Sequence, residues 1–111
     1  MNTTMSAALH LNPATLQIGG ALGWIDISDT ECTLLKVLSR SQDQRLDSNS
    51  LLECVGKALD TSAKRALEVQ IVRLRKKLEL AGAKAPTIKA IRGVGYQLCI
   101  PISLHPQPHF A

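Results

Sequence analysis

Hydrophobic and polar residues alternate with the period of a helix over one long segment, residues 62–81. At about 100° per residue, four large aliphatic side chains fall on one narrow stripe, namely Leu67, Ile71, Leu74 and Leu78. The opposite side of this predicted helix carries Arg65, Val69, Val72, Arg73 and Lys76. The stripe predicts packing against a core, and the row of cations predicts contact with an anionic partner.

Three short strands are predicted before this helix. Residues 9–11, 15–18 and 24–27 are short apolar runs, separated by an Asn-Pro pair and a Gly-Gly pair of the kind that is typical of turns. We therefore expect a small antiparallel sheet at the amino end, with Trp24 in the core.

Two shorter helices are predicted between the sheet and the long helix. Residues 28–31 read Ser-Asp-Thr-Glu, which fits a capping box, and the helix that it starts continues to about Arg40. Residues 45–47 form one brief strand. Its last residue, or the next one, caps a second helix that ends near Gly56 or one turn later.

A hairpin follows the long helix. Its two strands are predicted at residues 87–91 and 96–100, and the loop at 92–95 contains Gly93 and Gly95, which we expect to adopt positive φ. The order of elements predicts an α+β fold, a winged helix-turn-helix with a small N-terminal antiparallel sheet, three helices and a C-terminal β-hairpin wing.

The composition fits one soluble globular domain. Of the 111 residues, 45% are hydrophobic and 20% are charged, a balance typical of folded rather than disordered chains. No apolar run reaches the length of a membrane span and the amino end lacks a signal-peptide pattern, so we expect a cytoplasmic protein with no membrane partner. We place the domain at residues 8–100, with a flexible segment at 1–7 and a Pro-rich disordered tail at 101–111.

The net charge of +4 is unevenly distributed along the chain. Residues 1–61 contain four basic and seven acidic side chains, whereas residues 62–111 contain nine basic and two acidic ones. Such a division predicts a basic face, and a basic face attracts polyanions such as nucleic acid.

No cluster of residues suggests catalysis, a metal or a cofactor. The three cysteines (Cys32, Cys54 and Cys99) form no CxxC pair, and we expect them to be buried thiols in a reducing compartment. His105 and His109 are four residues apart, but the prolines around them prevent a helix, so we expect no metal site. Catalytic Ser/His/Asp and Cys/His arrangements and a phosphate-binding loop are also missing from the sequence, so we expect no enzyme.

Three segments resemble the effector domain of OmpR/PhoB-type bacterial response regulators, in order and at the spacing of that family, over residues 8–100. The first-helix pattern LT..E..LL resembles residues 27–35, ISDTECTLL. The recognition-helix pattern R.VDVHI..LRKKL resembles residues 65–78, RALEVQIVRLRKKL. The wing pattern VRGVGYRL resembles residues 91–98, IRGVGYQL.

This resemblance implies sequence-specific binding to duplex DNA by a transcription regulator, as the effector domain of a two-component phosphorelay. The helix at 62–81 would lie in the major groove, and the wing at 87–100 would reach the minor groove. Family members bind direct-repeat half-sites in pairs, so we expect a homodimer on DNA that is nucleoid-associated when bound. The loop at 57–61 is where activators of the family contact RNA polymerase, which adds that enzyme as a candidate partner.

The resemblance also implies which residues touch DNA. By position these are five helix residues and two wing residues: Arg65, Gln70, Val72, Arg73 and Arg75, with Arg92 and Tyr96. Arginine can bind a phosphate or guanine, and glutamine can pair with adenine or bind a phosphate. Val72 offers only apolar contact, most naturally to a thymine methyl group. Lys76 and Lys77 are expected to attract the phosphate backbone.

Two of these residues have a structural alternative. Arg75 could instead form an ion pair with Glu68 or another acid, because it leans away from the outer side of the helix. Tyr96 could instead pack within the hairpin.

The chain departs from the family pattern at several positions. Gln70, Val72 and Ala90 stand where a His, a polar residue and a Thr are frequent, and Gly56 replaces a frequent Trp. A receiver domain does not fit within 111 residues, so we expect an excised effector domain, with a stand-alone regulator as the alternative. A second function stays open, a winged-helix protein-interaction module that contacts a receiver or RNA polymerase and has lost specific DNA binding.

Overall fold

Two small sheets flank three helices in the structure, a computed structural model that describes residues 9–104. Along the chain the elements are β1 (Leu9–Asn12), β2 (Gln17–Gly20), β3 (Gly23–Asp26), α1 (Asp29–Arg40), β4 (Arg45–Asp47), α2 (Ser48–Cys54), α3 (Thr61–Ala81), β5 (Ile88–Ile91), β6 (Gly95–Leu98) and β7 (Ile102–Leu104). A short 3-10 helix, Gln42–Gln44, precedes β4. The predicted winged helix-turn-helix is confirmed, and the predicted flexible segment at 1–7 lies outside the described residues.

The first sheet has the strand order β3-β2-β1-β7. The β1–β2 and β2–β3 pairs are antiparallel, as predicted, whereas β7 joins β1 in parallel and places Ile102 beside Leu9. The predicted disordered tail at 101–111 is therefore wrong for residues 102–104. The edge of β1 offers backbone N–H and C=O groups to a further strand, and Ile102 packs against the core. Residues 105–111 lie outside the described part of the chain.

Trp24 lies on the outer face of this sheet, with 48% of its surface exposed. The prediction of a core position is wrong, because the neighbouring Ile25 packs on the core instead and successive residues of a strand face opposite sides. The indole ring covers Gly19, where any Cβ would collide with it. This close approach explains the glycine at position 19, which lies within β2 although the sequence pattern predicts a break there.

The second sheet, in the order β4-β6-β5, is the predicted wing hairpin extended by one strand. β4 pairs antiparallel with β6 and places Asp47 opposite Gly95. Gly93 has the expected positive φ of 73°, but Gly95 already belongs to a strand. A Cβ on Gly95 would overlap the carbonyl oxygen of Leu46, so glycine is needed there for close backbone approach rather than for its φ.

The first two helices begin at side-chain caps. Ser28 Oγ accepts a hydrogen bond from the Glu31 N–H (3.1 Å), and the Glu31 carboxylate accepts one from the Ser28 N–H (2.8 Å). This reciprocal pair confirms the predicted capping box. Asp47 caps α2 by accepting from the Ser50 N–H (3.0 Å), and α2 ends at Cys54, earlier than predicted.

The core is an aliphatic layer shared by the helices and both sheets. The predicted stripe of α3 is buried throughout, with at most 4% of any of its residues exposed. Cys32 is buried, as predicted, but Cys54 and Cys99 are exposed, because the next residue in each case, Val55 or Ile100, is the one that packs against the core. No helix within residues 9–104 is long and apolar enough to cross a membrane.

Candidate nucleic-acid interface

The long helix α3 holds the candidate interface. Asp60 caps its start by accepting a hydrogen bond from the Ala63 N–H (2.8 Å), and Gly82, with a φ of 121°, ends it. Burial of the aliphatic stripe fixes the rotation of α3 about its axis, so the opposite side faces solvent. That side is exposed as predicted, and we call it the exposed α3 face: Arg65, Val69, Val72, Arg73 and Lys76.

Most of the exposed α3 face forms a line along the helix axis. At about 100° per residue, four of its five members fall within about 60° of one another, namely Arg65, Val69, Val72 and Lys76, with Arg73 beside them. None of the three cations forms an ion pair with a carboxylate within residues 9–104. Their positive charge is therefore available to an anionic ligand. Gln70 lies on the flank of α3 and is half-buried.

Arg75 turns away from the exposed α3 face and towards the wing. Its Nε donates a hydrogen bond of 2.7 Å to the carbonyl oxygen of Ile88 in β5. The ion pair with Glu68 that the sequence left open does not occur in the described part of the chain. The observed bond connects α3 to the wing, so Arg75 sets the position of one against the other.

Lys77 is partly exposed and, unlike the cations of the exposed α3 face, is paired with a carboxylate. Its Nζ lies 2.8 Å from Glu31 Oε1 of α1, and this is the one salt bridge among residues 9–104. The structure shows that Glu31 offsets the charge of Lys77, and attraction of the phosphate backbone by Lys77 stays a prediction. Since Glu31 also caps α1, a single carboxylate anchors both helices.

The lowered pKa of Glu31 predicts that the domain loses stability in acid. Burial raises its pKa, but hydrogen bonds from Lys77 and Ser28 and the Lys77 charge outweigh burial, so the pKa lies below its ordinary value of 4.5. A carboxyl group with a lowered pKa in the folded state stabilises that state fully above 4.5, and this contribution is lost as pH falls through the folded-state pKa. We expect Glu31→Gln to reduce the free energy of unfolding at neutral pH by about 1–3 kcal/mol.

Urea unfolding at neutral pH and at about pH 3 measures both consequences. The parent chain should lose more stability between the two pH values than Glu31→Gln, which has no carboxyl group to protonate at this site. An equal loss in both proteins would contradict the assignment.

The wing presents one arginine at its tip. Residues 92–94 form the turn, closed by a hydrogen bond from the Val94 N–H to the Ile91 carbonyl (2.9 Å), and Arg92 is exposed. The Val94 carbonyl accepts a hydrogen bond from the Ser48 N–H (3.0 Å), which ties the turn to the start of α2. Arg92 therefore projects from an anchored turn.

A cleft of about 560 Å³ separates the wing from α3. Lys64 and Glu68 of α3 line one side, and Arg92 and Tyr96 of the wing line the other. Arg92 of the wing therefore lies on the same side of the molecule as the start of α3. Lys64 is not among the predicted site residues, although this exposed cation stands directly before Arg65 in the chain.

Tyr96 packs within the hairpin, the structural alternative that the sequence left open. It is 9% exposed and lies opposite Ala90 of β5 and Leu46 of β4. Burial raises the pKa of its hydroxyl, the Glu68 carboxylate raises it further, and Arg75 lowers it by less. The hydroxyl therefore stays protonated at neutral pH and can donate a hydrogen bond.

No group of three or more His, Cys, Asp or Glu side chains within residues 9–104 could hold a metal ion. His105 and His109, the pair spaced four residues apart, lie beyond that range.

Comparison with known families matches residues 23–98, from β3 to β6, to the family described as "Transcriptional regulatory protein, C terminal". Response regulator MprA of Mycobacterium leprae is 37% identical over 91 residues, which cover 81% of this chain and 39% of that protein. The chain spans two fifths or less of the length of the curated relatives that it matches.

Two solved DNA-binding domains share this fold at moderate identity. The DNA binding domain of CpxR from E. coli has a TM-score of 0.69 and 30% identity, over 91% of this chain and 96% of that one. The Klebsiella pneumoniae RstA DNA-binding domain, in complex with the RstA box, has a TM-score of 0.67 and 27% identity, over 86% and 96% of the two chains.

Proposed function

Because the chain belongs to the family of C-terminal domains of transcriptional regulatory proteins, we propose that residues 9–104 bind duplex DNA sequence-specifically, as the effector domain of a two-component response regulator. The observation that carries this proposal is the exposed α3 face, whose cations have no carboxylate partner among the described residues. An anchored wing with an exposed arginine lies across the cleft from Lys64 and Glu68 of the same helix. The members of this family are transcription regulators, and transcription regulators are not a class of enzymes.

In this proposal α3 lies in the major groove. An α-helix with its side chains is about 10–12 Å across, which fits a groove about 12 Å wide. Arg65 and Arg73 bind phosphates or guanine edges, whereas Lys76 contacts the backbone as a point charge. Gln70, on the flank of the helix, pairs with adenine or binds a phosphate.

The wing reaches the neighbouring minor groove or its phosphates through Arg92. Tyr96 supports the hairpin from the wall of the cleft, while Arg75 and Lys77 hold α3 against β5 and α1. We therefore assign these last three residues to positioning α3 and the wing, and the other predicted site residues to contact with DNA.

Two further associations belong to the proposal. We expect pairs of this domain on direct-repeat half-sites about one helical turn apart, and therefore a nucleoid-associated protein of the cytoplasm.

We also propose that the loop before α3, predicted at 57–61, contacts RNA polymerase, since it exposes 49% of Leu59. A pull-down that retains RNA polymerase without any DNA binding would favour a protein-interaction module instead.

Selection of bound duplexes from a random pool by the purified chain tests the proposed function. Specific binding should enrich a single half-site, because base contacts discriminate among sequences whereas phosphate contacts do not. A chain that recovers every duplex equally well has lost sequence-specific binding, and the proposal would fail.

Affinity for the selected duplex should fall steeply with salt concentration. With about six phosphate contacts, log K plotted against log salt should have a slope of roughly −5. Lys76→Ala should weaken binding to all duplexes alike and make the slope shallower by about 1, since it removes one contact. Fluorescence-anisotropy titrations over about 0.05–0.2 M salt measure the slope.

Lys77→Ala is the matched control, because it removes the same kind of charge from an ion pair. Its salt slope should stay close to that of the parent chain. A slope that changes with Lys77 and not with Lys76 would reverse the assignment of the two lysines.

A further inference from the structure

The base of the wing, residues 98–100, is held by a side chain at the point where a strand ends. β4 pairs with β6 as far as Arg45, which lies opposite Gln97. One more residue in the same register would place Gln44 opposite Leu98, but the Gln44 backbone N–H donates within the preceding turn instead (2.9 Å). The β4–β6 ladder therefore stops before it reaches the base of the wing.

The side chain of Gln44 supplies the donor that the ladder lacks. Its Nε2 donates to the carbonyl oxygen of Leu98 (2.8 Å) and to that of Ile100 (3.1 Å). The side-chain amide of Gln97 donates in return to the carbonyl oxygen of Asp43 (2.8 Å). Three hydrogen bonds therefore join the turn before β4 to the wing, between residues that are 54 or 56 positions apart in sequence.

The backbone at position 44 shows that the side chain is what this position uses. Asp43 and Gln44 have positive φ values of 56° and 57°. Aspartate is one of the few residues that tolerate this region, and glycine adopts it without steric cost, whereas glutamine is disfavoured there. Glycine would suit the backbone of residue 44 better but could form neither bond to the wing. The two hydrogen bonds of the Gln44 amide offset the unfavourable φ.

A hold on β6 acts on the whole wing. β4 and β5 both pair with β6, which lies between them, so the angle of the wing sheet follows that of β6. Arg75 and Ser48 hold β5 and the turn by one hydrogen bond each. At about 3.3 Å per residue β6 is about 10 Å long, so a tilt of about 10° at its base moves the turn by about 2 Å. A charge-assisted hydrogen bond made by Arg92 does not survive such a displacement.

We infer that Gln44 is a positioning residue for DNA binding, because its amide holds the base of β6 and thereby sets the angle at which the wing presents Arg92 to the duplex. This role rests on the proposed binding to duplex DNA. Gln44 lies at the base of the wing and Arg92 at its tip, so Gln44 acts through the wing and not by touching DNA.

Gln44→Gly separates this role from the stability of the fold. Glycine removes both side-chain hydrogen bonds but also relieves the unfavourable backbone, so the two effects on the free energy of unfolding oppose each other. The urea midpoint should therefore shift little. Binding to a duplex that carries one selected half-site should weaken roughly fivefold, compared with about tenfold for Arg92→Ala. Fluorescence anisotropy measures both affinities.

Gln44→Asn is a second variant that keeps an amide. Asparagine tolerates positive φ, but its side chain is one methylene shorter and cannot span both carbonyl oxygens. It should weaken binding in the same way as Gln44→Gly.

A double-mutant cycle tests whether the effect passes through the wing. In an Arg92→Ala background, Gln44→Gly should weaken binding by less than about twofold, because the contact that Gln44 positions is already lost. Gln44→Gly and Arg92→Ala should each make the salt slope shallower by about 1, and the double variant should do so by about 1 as well. A residue that only stabilised the fold would leave the salt slope unchanged.

Gln17→Ala is the matched control. Gln17 lies in β2 of the first sheet, and its Nε2 donates a hydrogen bond of 3.0 Å to Asp26 Oδ1. The variant therefore removes a glutamine hydrogen bond outside the wing. Both the affinity for the single half-site and the salt slope should stay those of the parent chain.

The outcomes distinguish the role of Gln44 from the proposed function. Parent-like binding by Gln44→Gly, or losses that multiply in the double variant, would overturn the role of Gln44 while specific DNA binding stands. Parent-like binding by Arg92→Ala would do the same, since the wing would then offer no contact to position. Recovery of no preferred duplex would overturn the proposed function and the role of Gln44 together.

Discussion

Replacement of Gly95 by alanine should destabilise the domain by about 3 kcal/mol, at the upper end of what overpacking usually costs. The added Cβ would meet the carbonyl oxygen of Leu46 and the Cα of Asp47. Both are backbone atoms of β4, so no side-chain rotation can relieve the overlap, and β4 and β6 must separate. Urea unfolding followed by circular dichroism measures the loss.

Gly93→Ala is the matched control in the same wing. Gly93 has a φ of 73°, but a Cβ added there would meet no heavy atom within 4 Å. Alanine at this position therefore adds only the strain of a left-handed residue, about 1–2 kcal/mol. If Gly95→Ala were no more harmful than Gly93→Ala, the close contact between β4 and β6 would be contradicted.

Replacement of Arg73 by alanine should weaken binding to the selected duplex by about 1–3 kcal/mol, roughly 5- to 150-fold, and relax the preference at one base position. Arg73 is exposed and forms no ion pair within residues 9–104, so its removal should leave the fold intact. Anisotropy titrations against the selected duplex and its single-base variants measure both effects.

Lys76→Ala provides the contrast for Arg73→Ala. It should weaken binding to all of these duplexes by a similar factor, since a lysine on the backbone carries no sequence information. If Arg73→Ala also weakened all duplexes uniformly, Arg73 would be a phosphate contact and base reading would fall to other residues of the exposed α3 face.

Features encoded within a few neighbouring residues could be predicted from the sequence. The capping box at Ser28 and Glu31 is one such feature, because all its donors and acceptors lie within one helical turn. The buried stripe of α3 is another, since its period alone separates the buried side from the exposed one. The exposed α3 face lies opposite that stripe, so it can be identified without knowing which elements pack against α3.

Features that depend on distant neighbours could not be predicted. Lys77 and Glu31 are 46 residues apart in sequence, and nothing local indicates that α1 brings this carboxylate to α3. The same holds for β7, which pairs with β1 from the far end of the chain. Trp24 shows a related limit, because alternation defines two faces of a strand and not which of them the core covers.

Gly95 shows that one residue type can serve two physical purposes. Glycine in a hairpin loop is typical of positive φ, and Gly93 fits that expectation. At Gly95 the need arises from the third strand, β4, whose backbone takes the space of a side chain. Only the pairing of β4 with β6 distinguishes the two cases.

The central claim is that the exposed α3 face reads sequence in duplex DNA. Competition between the selected duplex and a duplex of the same composition in permuted order, at about 0.15 M salt, tests it most directly. Specific binding predicts a preference of about 10³-fold or more for the selected duplex. Equal affinity for the two duplexes would contradict the claim.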